Sequence, residues 1–470
     1  MAPLLVYRSL REASDWMLNF YSELVTLGHE NVSPSGPLLI VACHHNEAVD
    51  IGALAVTIPH GRVVRFWAKA SLFRIPLIGN ILTSSGALPV HRKRKVNDGD
   101  NNSVHVYDSL FGETVASLGL GEVIGVFPEG TSYTHPHIPP LRPGAARVAL
   151  EFSSWQAGQS HNASKSEGHF SEQQLKIVPV GIVYNEKMQF RSRVCVRYGK
   201  PIGFHAFARQ YSTGTDEDRR EAINALTHEI HENLTRLTVN APNWDVYHAA
   251  HIARDIAYEG RGRIPLEDYT SITQRFVSAL QDYNPHTIRQ VAILLKYHAL
   301  LHHTNITHSS LSSLYPSTPT SSTLPSQGHL LKSILTQLAK TFLHPRFWFF
   351  IPPFLLHLPG YLIGNLGAKY IVDSTEDETQ AGTIAICGGI TYGITASFTA
   401  WNLYDLALGY LNSPLVPSHL IGSPLAWLWR RPLYHFGLAV SIYVFTLVVF
   451  RWHNWLIDGM SCYSDITCQR

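Results

Sequence analysis

Six short apolar runs lie between residues 37 and 198, and they constrain what this chain can fold into more than any other feature. They are Pro37–Cys43, Val63–Trp67, Ala87–Val90, Val123–Phe127, Ile177–Tyr184 and Arg193–Tyr198. None shows a sustained apolar–polar alternation of a sheet with one wet face, so they read as strands covered on both sides. Helical stretches lie between several of them. That order predicts an α/β domain with a mixed, largely parallel sheet flanked by helices and joined by crossovers.

The flanking segments read differently. From Leu4 to Val25, Leu5, Leu10, Ala13, Trp16, Met17, Phe20 and Leu24 are interleaved with Arg8, Arg11, Glu12 and Asp15. This pattern predicts an amphipathic helix, too charged for a signal-peptide core, that docks on the next domain or lies in a membrane interface. Ser153–Gln174 reads as a polar inserted loop, and residues 216–238 as a charged amphipathic helix with further helices to about residue 304. Ser309–Gly328, dominated by Ser, Thr, Pro and Leu, reads as a linker. The expected organisation is therefore an amphipathic helix at 1–30, a catalytic domain at 31–215, a helical extension at 216–305, a linker at 306–330 and a membrane-spanning region at 331–470.

Charge supports that division. Only 15% of the residues are charged, against about a quarter in ordinary domains, and the net charge is +2. A disordered chain, a coiled coil and a basic nucleic-acid binder are excluded. The deficit is concentrated late in the chain. No Lys, Arg, Asp or Glu lies between Arg346 and Lys369, from Gln380 to Tyr404, or from Pro432 to Phe450. A membrane span needs about 20 apolar residues. The second and third stretches fit that length, whereas Pro352, Pro353 and Pro359 interrupt the first. Leu406–Trp429 is also uncharged but carries Pro414, Pro417 and Pro424. Two to four spans are expected. The five cysteines contain no C-x-x-C pair, so neither a zinc ribbon nor a redox motif is supported, and most of the 26 histidines sit singly in polar stretches and read as surface or packed residues.

Chemistry enters at the strand ends. Cys43-His-His-Asn-Glu-Ala-Val-Asp50 follows the first strand directly. A histidine there acts as a general base when a carboxylate holds its ring and tautomer. One helical turn brings Asp50 back to either His44 or His45. Gly86 to Arg92 ends a second strand on an arginine, followed by Lys93, Arg94 and Lys95, and an arginine fork matches a phosphate. Phe127-Pro-Glu-Gly-Thr-Ser132 closes a third with a turn, where Glu129 and the free amides of Gly130 and Thr131 suit a phosphorylated substrate. Arg142, Gly144 and Arg147 follow, the arginines adding positive charge. There is no G-x-S-x-G nucleophile elbow and no Walker loop. Five Asn-x-Ser/Thr sequons all lie ahead of the uncharged stretches.

Taken together and in order, these blocks resemble the glycerolipid (PlsC-like) acyltransferase family. The four blocks are His44/His45 with Asp50, Gly86 to Arg92, Phe127 to Ser132, and the proline-bearing strand Ile177–Gly181. Tyr7-Arg8 through Asn31 resembles the family's leader helix. Val239–Trp244 through Tyr269 resembles the fungal branch that acylates glycerol 3-phosphate or dihydroxyacetone phosphate. Cys43 stands where the family commonly has asparagine. A four-residue spacing selects His45, whereas alignment of Asn46 and Val49-Asp50 with the longer-spaced branch favours His44.

The resemblance implies acyl transfer from acyl-CoA to a phosphorylated glycerol-type acceptor, with no covalent acyl-enzyme and no cofactor. The histidine is implied as the base and Asp50 as its orienter. Gly86, Arg92, Glu129, Gly130 and Thr131 are implied around the acceptor's phosphate end, with Pro179 shaping the pocket wall. It also implies a multi-pass protein of the endoplasmic reticulum membrane, its catalytic domain on the cytosolic face and the lipid bilayer as a partner. Two other functions compete: the same chemistry on lysophosphatidate, and a catalytically inactive lipid-binding scaffold, against which the intact His, Asp, Arg and Glu-Gly set argues.

Overall fold

The computed structural model describes residues 2–90, 112–162, 173–185, 192–259, 264–304 except Tyr283, 342–371, 377–411 and 426–468, with a few short stretches between 306 and 339. The chain divides into two compact units, Met1–His308 and Ser309–Arg470.

The first unit opens with α1 (Ala2–Tyr21), which leads into β1 (Ser22–Leu27). Then come β2 (Leu38–Ala42), α2 (Glu47–Thr57), β3 (Val64–Lys69), α3 (Pro76–Ser84), β4 (Leu88–Val90), α4 (112–119) and β5 (Val123–Val126). After α5 (Gly144–Asn162), β6 (Lys176–Tyr184) and β7 (Ser192–Tyr198) complete a seven-stranded sheet of order β1-β7-β6-β2-β5-β3-β4. Only the β6–β7 pair is antiparallel. Five helices follow: α6 (His205–Thr213), α7 (Asp216–Leu237), α8 (Trp244–Ala257), α9 (Leu266–Leu280) and α10 (Pro285–Thr304).

Both faces of the sheet are covered, as continuous apolar strands require. Leu38 and Ile40 of β2 point into a core closed by α1 and α2 through Leu18, Val49 and Leu54. Leu39 and Val41 point the other way, into a core closed by α5 and α7 through Val148, Phe152, Leu226 and Leu234. Helix α7 begins with a capping box in which the Thr215 hydroxyl accepts from the Asp218 amide and Asp218 accepts from the Thr215 amide.

Two local readings are corrected. The stretch Leu4–Val25 is not one helix: α1 stops at Tyr21, and β1 pairs in parallel with β7, Ser22 opposite Ser192 through Leu27 opposite Arg197. As an edge strand carrying Glu23 and Thr26, β1 lacks the dense apolar signal of the inner strands and continues the helix's mixed pattern. The second correction concerns Ser153–Gln174, where α5 runs on to Asn162, held by buried Phe152 and its ring contact with Trp155 at 5.6 Å.

In the second unit, α11 (Pro345–Ile371), α12 (Asp377–Leu411) and α13 (Ala426–Cys468) pack together. Among the described residues two helical stretches are long and apolar enough to cross a membrane, Phe347–Tyr370 and Tyr434–Leu456. The proline-interrupted stretch is thus a continuous helix, and Gln380–Tyr404 lies within helix α12. Most of the linker and the segment 412–425 lie outside the described residues. Helices α11 and α12 approach closely through small residues: a Cβ on Gly360 would sit 2.8 Å from the Gly388 carbonyl oxygen, and one on Gly364 2.9 Å from that of Ile384. Gly360→Leu is expected to force these helices apart at a cost of about 1–3 kcal/mol. A melting temperature of the detergent-solubilised full chain several degrees below wild type checks this.

Candidate active site

Strands β2 and β5 are parallel neighbours, with Val41 opposite Val126, so the segments leaving them emerge at the same edge of the sheet. This is the carboxyl-terminal edge, where open α/β sheets bind ligands. His44 leaves β2 there, and Phe127 to Gly130 leaves β5. Tyr184 ends β6, on the other side of β2.

Asp50, in the first turn of α2, organises this edge. It is fully buried, and three donors converge on its carboxylate. His44 Nδ1 lies 3.0 Å from Oδ2, the Asn46 amide donates to Oδ2 at 2.7 Å, and the Tyr184 hydroxyl donates to Oδ1 at 2.5 Å. Burial alone raises a carboxyl pKa, but the His44 contact, followed by Tyr184 and Asn46, outweighs it and holds Asp50 below its ordinary value. With Nδ1–H donated to a carboxylate, the lone pair of His44 resides on Nε2. The ring is pinned a second time by stacking on Phe127, centroids 4.1 Å apart and planes 18° from parallel.

His45 points elsewhere. Its Nε2 lies 3.5 Å from the Tyr133 hydroxyl, and its ring meets Tyr133 edge-on at 4.7 Å. Of the two histidines left open by spacing, His44 contacts Asp50 and His45 contacts Tyr133. Cys43 is buried, its Sγ accepting from the Ile182 amide at 3.1 Å. Burial, then the nearby Glu129 charge, pushes its thiol well up, so it is a neutral tie between β2 and β6.

Glu129 sits in the turn after β5, closed by the Gly130 amide donating to the Phe127 carbonyl at 3.1 Å. Its carboxyl oxygens are buried with no hydrogen-bond partner among the described residues. The amides of Glu129 and His44 and the Tyr133 hydroxyl face it outside hydrogen-bonding geometry. Burial pushes Glu129 up to about 8, the Asp50 charge adds to the rise, and those amides oppose it. Protonation therefore stabilises the fold. The contribution is full below the ordinary 4.5 and is lost as pH rises through about 8. Replacement by the neutral isostere, Glu129→Gln, is expected to remove a pH-dependent loss of stability of a few kcal/mol over that window. The check is thermal denaturation between pH 5 and pH 9: the wild-type melting temperature falls across the range and the variant's slope is flatter.

Gly130 has φ +76°, a backbone state that a side chain disfavours, and an added Cβ would lie 2.5 Å from Arg142 Nε. Thr131 follows in an exposed loop. The other expected site residues lie apart. Gly86 precedes β4, and its carbonyl accepts from Arg65 Nε at 2.9 Å; the same guanidinium binds Glu122, at the opposite end of the strands from His44. Pro179 faces the α5–α7 side of β6, near Leu237 and Gly199, whereas Val180, Ile182 and Tyr184 face the α2 side. Arg92 lies outside the described residues. A groove of about 560 Å³, lined by Pro34, Gly36, Arg62, Gly121 and Gln173, opens at the amino-terminal edge, away from the dyad. Among the described residues no cluster of His, Cys, Asp and Glu can hold a metal.

Sequence reasoning missed Tyr184 and Tyr133. Tyr184 stood in the sequence only as the last residue of an apolar strand, 134 positions from the aspartate it meets. The segment resembling the fungal branch also has a structural task. Asn240 Oδ1 accepts from the Ile138 amide at 2.9 Å, and the Ala241 amide donates to Pro136 at 2.8 Å, fixing the loop that leaves the Glu129 turn.

Known proteins resemble this chain over the same region. The family model described as Acyltransferase matches residues 24–183, which span β2 with its histidines, the Glu129 turn and β6. An uncharacterized acyltransferase of Schizosaccharomyces pombe is 23% identical over 385 residues, 64% of this chain and 54% of that protein. Glycerol-3-phosphate O-acyltransferase 2 of Saccharomyces cerevisiae is 28% identical over 154 residues, 33% of this chain and 18% of its own length. The 1-acyl-sn-glycerol-3-phosphate acyltransferase of Bacillus subtilis is 30% identical over 145 residues, 31% of this chain and 65% of its own. The chain thus spans about half of the first relative and less than a fifth of the second. The His44–Asp50 pair and the Glu129 turn both lie inside the matched region. Over residues 24–183, about a third of its length, the chain is therefore similar to the acyltransferase family.

Proposed function

We propose that this protein is a membrane-bound O-acyltransferase that moves an acyl chain from acyl-CoA to the sn-1 hydroxyl of glycerol 3-phosphate or dihydroxyacetone phosphate. The observation that carries the reading is the His44–Asp50 pair, with Nδ1 engaged at 3.0 Å and Nε2 left as the basic nitrogen. His44 Nε2 takes the proton of the acceptor hydroxyl as the oxygen attacks the thioester carbonyl. Asp50 holds the ring and stabilises the imidazolium that forms. Collapse of the tetrahedral intermediate breaks the C–S bond, and the imidazolium returns its proton to the leaving thiolate. Base catalysis of this kind contributes about 10²–10⁴-fold.

The acceptor reading rests on the yeast relative named above and on the Val239–Tyr269 segment. A second reading, transfer to lysophosphatidate, is favoured by the Bacillus subtilis relative. The membrane reading rests on the two apolar helices, whose large side chains are open rather than packed: Trp348 is 62% exposed and Phe436 69%. A soluble core helix would bury them. We place the protein in the endoplasmic reticulum membrane, multi-pass, with the catalytic unit on the cytosolic face.

The test is acyl transfer by the purified full chain, with labelled acyl-CoA and each acceptor in turn. Saturable transfer to glycerol 3-phosphate or dihydroxyacetone phosphate, lost in Asp50→Ala, supports the proposal. Transfer only to lysophosphatidate overturns the acceptor, and thioester consumption unaffected by Asp50→Ala overturns the enzyme reading.

A further inference from the structure

Arg142 lies outside all four sequence blocks, yet it is built into the Glu129 turn from two directions. Its backbone amide donates to the Pro128 carbonyl at 2.8 Å, which clamps the chain entering α5 onto the turn. Its side chain fills the space that a Cβ on Gly130 would take, with Nε 2.5 Å from that position and Cδ 2.7 Å. Gly130 is therefore small for a second reason besides its positive φ: the guanidinium stem lies across it. The residue is exposed beyond this contact, and among the described residues no carboxylate comes within ion-pair distance of it. Arg147, in the first turn of α5, is by contrast engaged, holding Glu151 at 2.7 Å.

A guanidinium held at its stem and open at its fork is pre-organised for a planar, bidentate anion. The turn over which it lies begins at Phe127, the ring on which His44 stacks. We infer that Arg142 binds the phosphate monoester of the acceptor and orients its hydroxyl toward His44 Nε2. The inference rests on the proposed acyl transfer to a phosphorylated acceptor. It assigns to this chain a phosphate ligand supplied from the approach to α5 rather than from the Gly-to-Arg strand or the turn itself. The Glu129 turn then has two parts: the buried carboxyl beneath and the arginine laid over the glycine.

The test uses the full chain in detergent with Arg142→Ala and Arg142→Lys, measuring kcat and KM separately for glycerol 3-phosphate and for acyl-CoA. Loss of one charge-assisted contact is expected to raise KM for glycerol 3-phosphate about 10- to 100-fold. The KM for acyl-CoA stays within about twofold and the lysine variant recovers part of the loss. Inorganic phosphate, as a competitor of the acceptor, loses potency in Arg142→Ala by a similar factor. A KM for acceptor that does not move, or a rise confined to acyl-CoA and its phosphates, overturns the inference. A kcat loss with a lowered melting temperature and no change in the acceptor's KM also overturns it, since that marks a structural role. Wild-type transfer onto a phosphorylated acceptor is measured first. Its absence refutes the proposed function, whereas its presence with an indifferent arginine refutes only this assignment.

Discussion

Replacing His44 with alanine is expected to lower kcat for acyl transfer by about 10²–10⁴-fold, while His45→Ala costs less than about tenfold. The asymmetry follows from the rings' partners. His44 presents Nδ1 to a buried carboxylate and is stacked on Phe127, leaving Nε2 to take a proton. His45 instead meets Tyr133, its Nε2 3.5 Å from that hydroxyl and its ring edge-on to the tyrosine. Initial rates with saturating acyl-CoA on the two variants and wild type read the difference directly. The opposite order would move the base to His45, and near-complete activity in both would remove the histidine base altogether. His44 is partly exposed at the sheet edge, so the loss is expected without a matching fall in melting temperature.

Asp50→Asn is expected to be comparably severe, with kcat down by about 10²–10⁴-fold, because a neutral amide neither enforces the Nδ1–H tautomer nor stabilises the imidazolium. Coupling distinguishes this from a general packing defect. The double variant His44→Ala/Asp50→Asn should be little worse than His44→Ala alone, since the aspartate acts through the histidine. The substitution also has a stability signature of definite sign. Asp50 titrates below its ordinary 3.8 in the fold, so its contribution is present above that value and lost as pH falls through the folded value. At neutral pH the variant is expected to be less stable by about 1–3 kcal/mol, converging on wild type in acid. Tyr184→Phe is the milder probe of the same carboxylate. It removes the donor to Oδ1, concentrates charge on the oxygen facing His44, and should move the acidic limb of the pH–rate profile upward with a smaller loss of kcat.

Much of this arrangement was legible beforehand, for identifiable reasons. The inner strands announced themselves because a strand covered on both faces has no room for polar residues, and β2 and β5 are apolar from end to end. The candidate site was legible at the strand ends because a parallel sheet delivers its carboxyl ends to one edge, and the His-Asp and Phe-Pro-Glu-Gly-Thr blocks sit there. Edge strand β1 escaped notice, as an edge has one partner and tolerates Glu23 and Thr26. Helix α5 ran past its apparent end because Phe152 and Trp155, two isolated aromatics in a polar stretch, pack against the core.

By itself, then, the sequence determined the class of fold, the order of its strands along the chain, and the residue types available for base catalysis. Local spacing did not distinguish His44 from His45, since one helical turn returns Asp50 to either. Tertiary structure distinguishes the two rings, stacking Phe127 on His44 beside Asp50 and setting Tyr133 against His45. It likewise brought Tyr184 to Asp50 across 134 positions and laid Arg142 over Gly130. Such contacts leave no periodic trace in a sequence, because they depend on the register between strands and on how loops return to them, not on the neighbours of each residue along the chain.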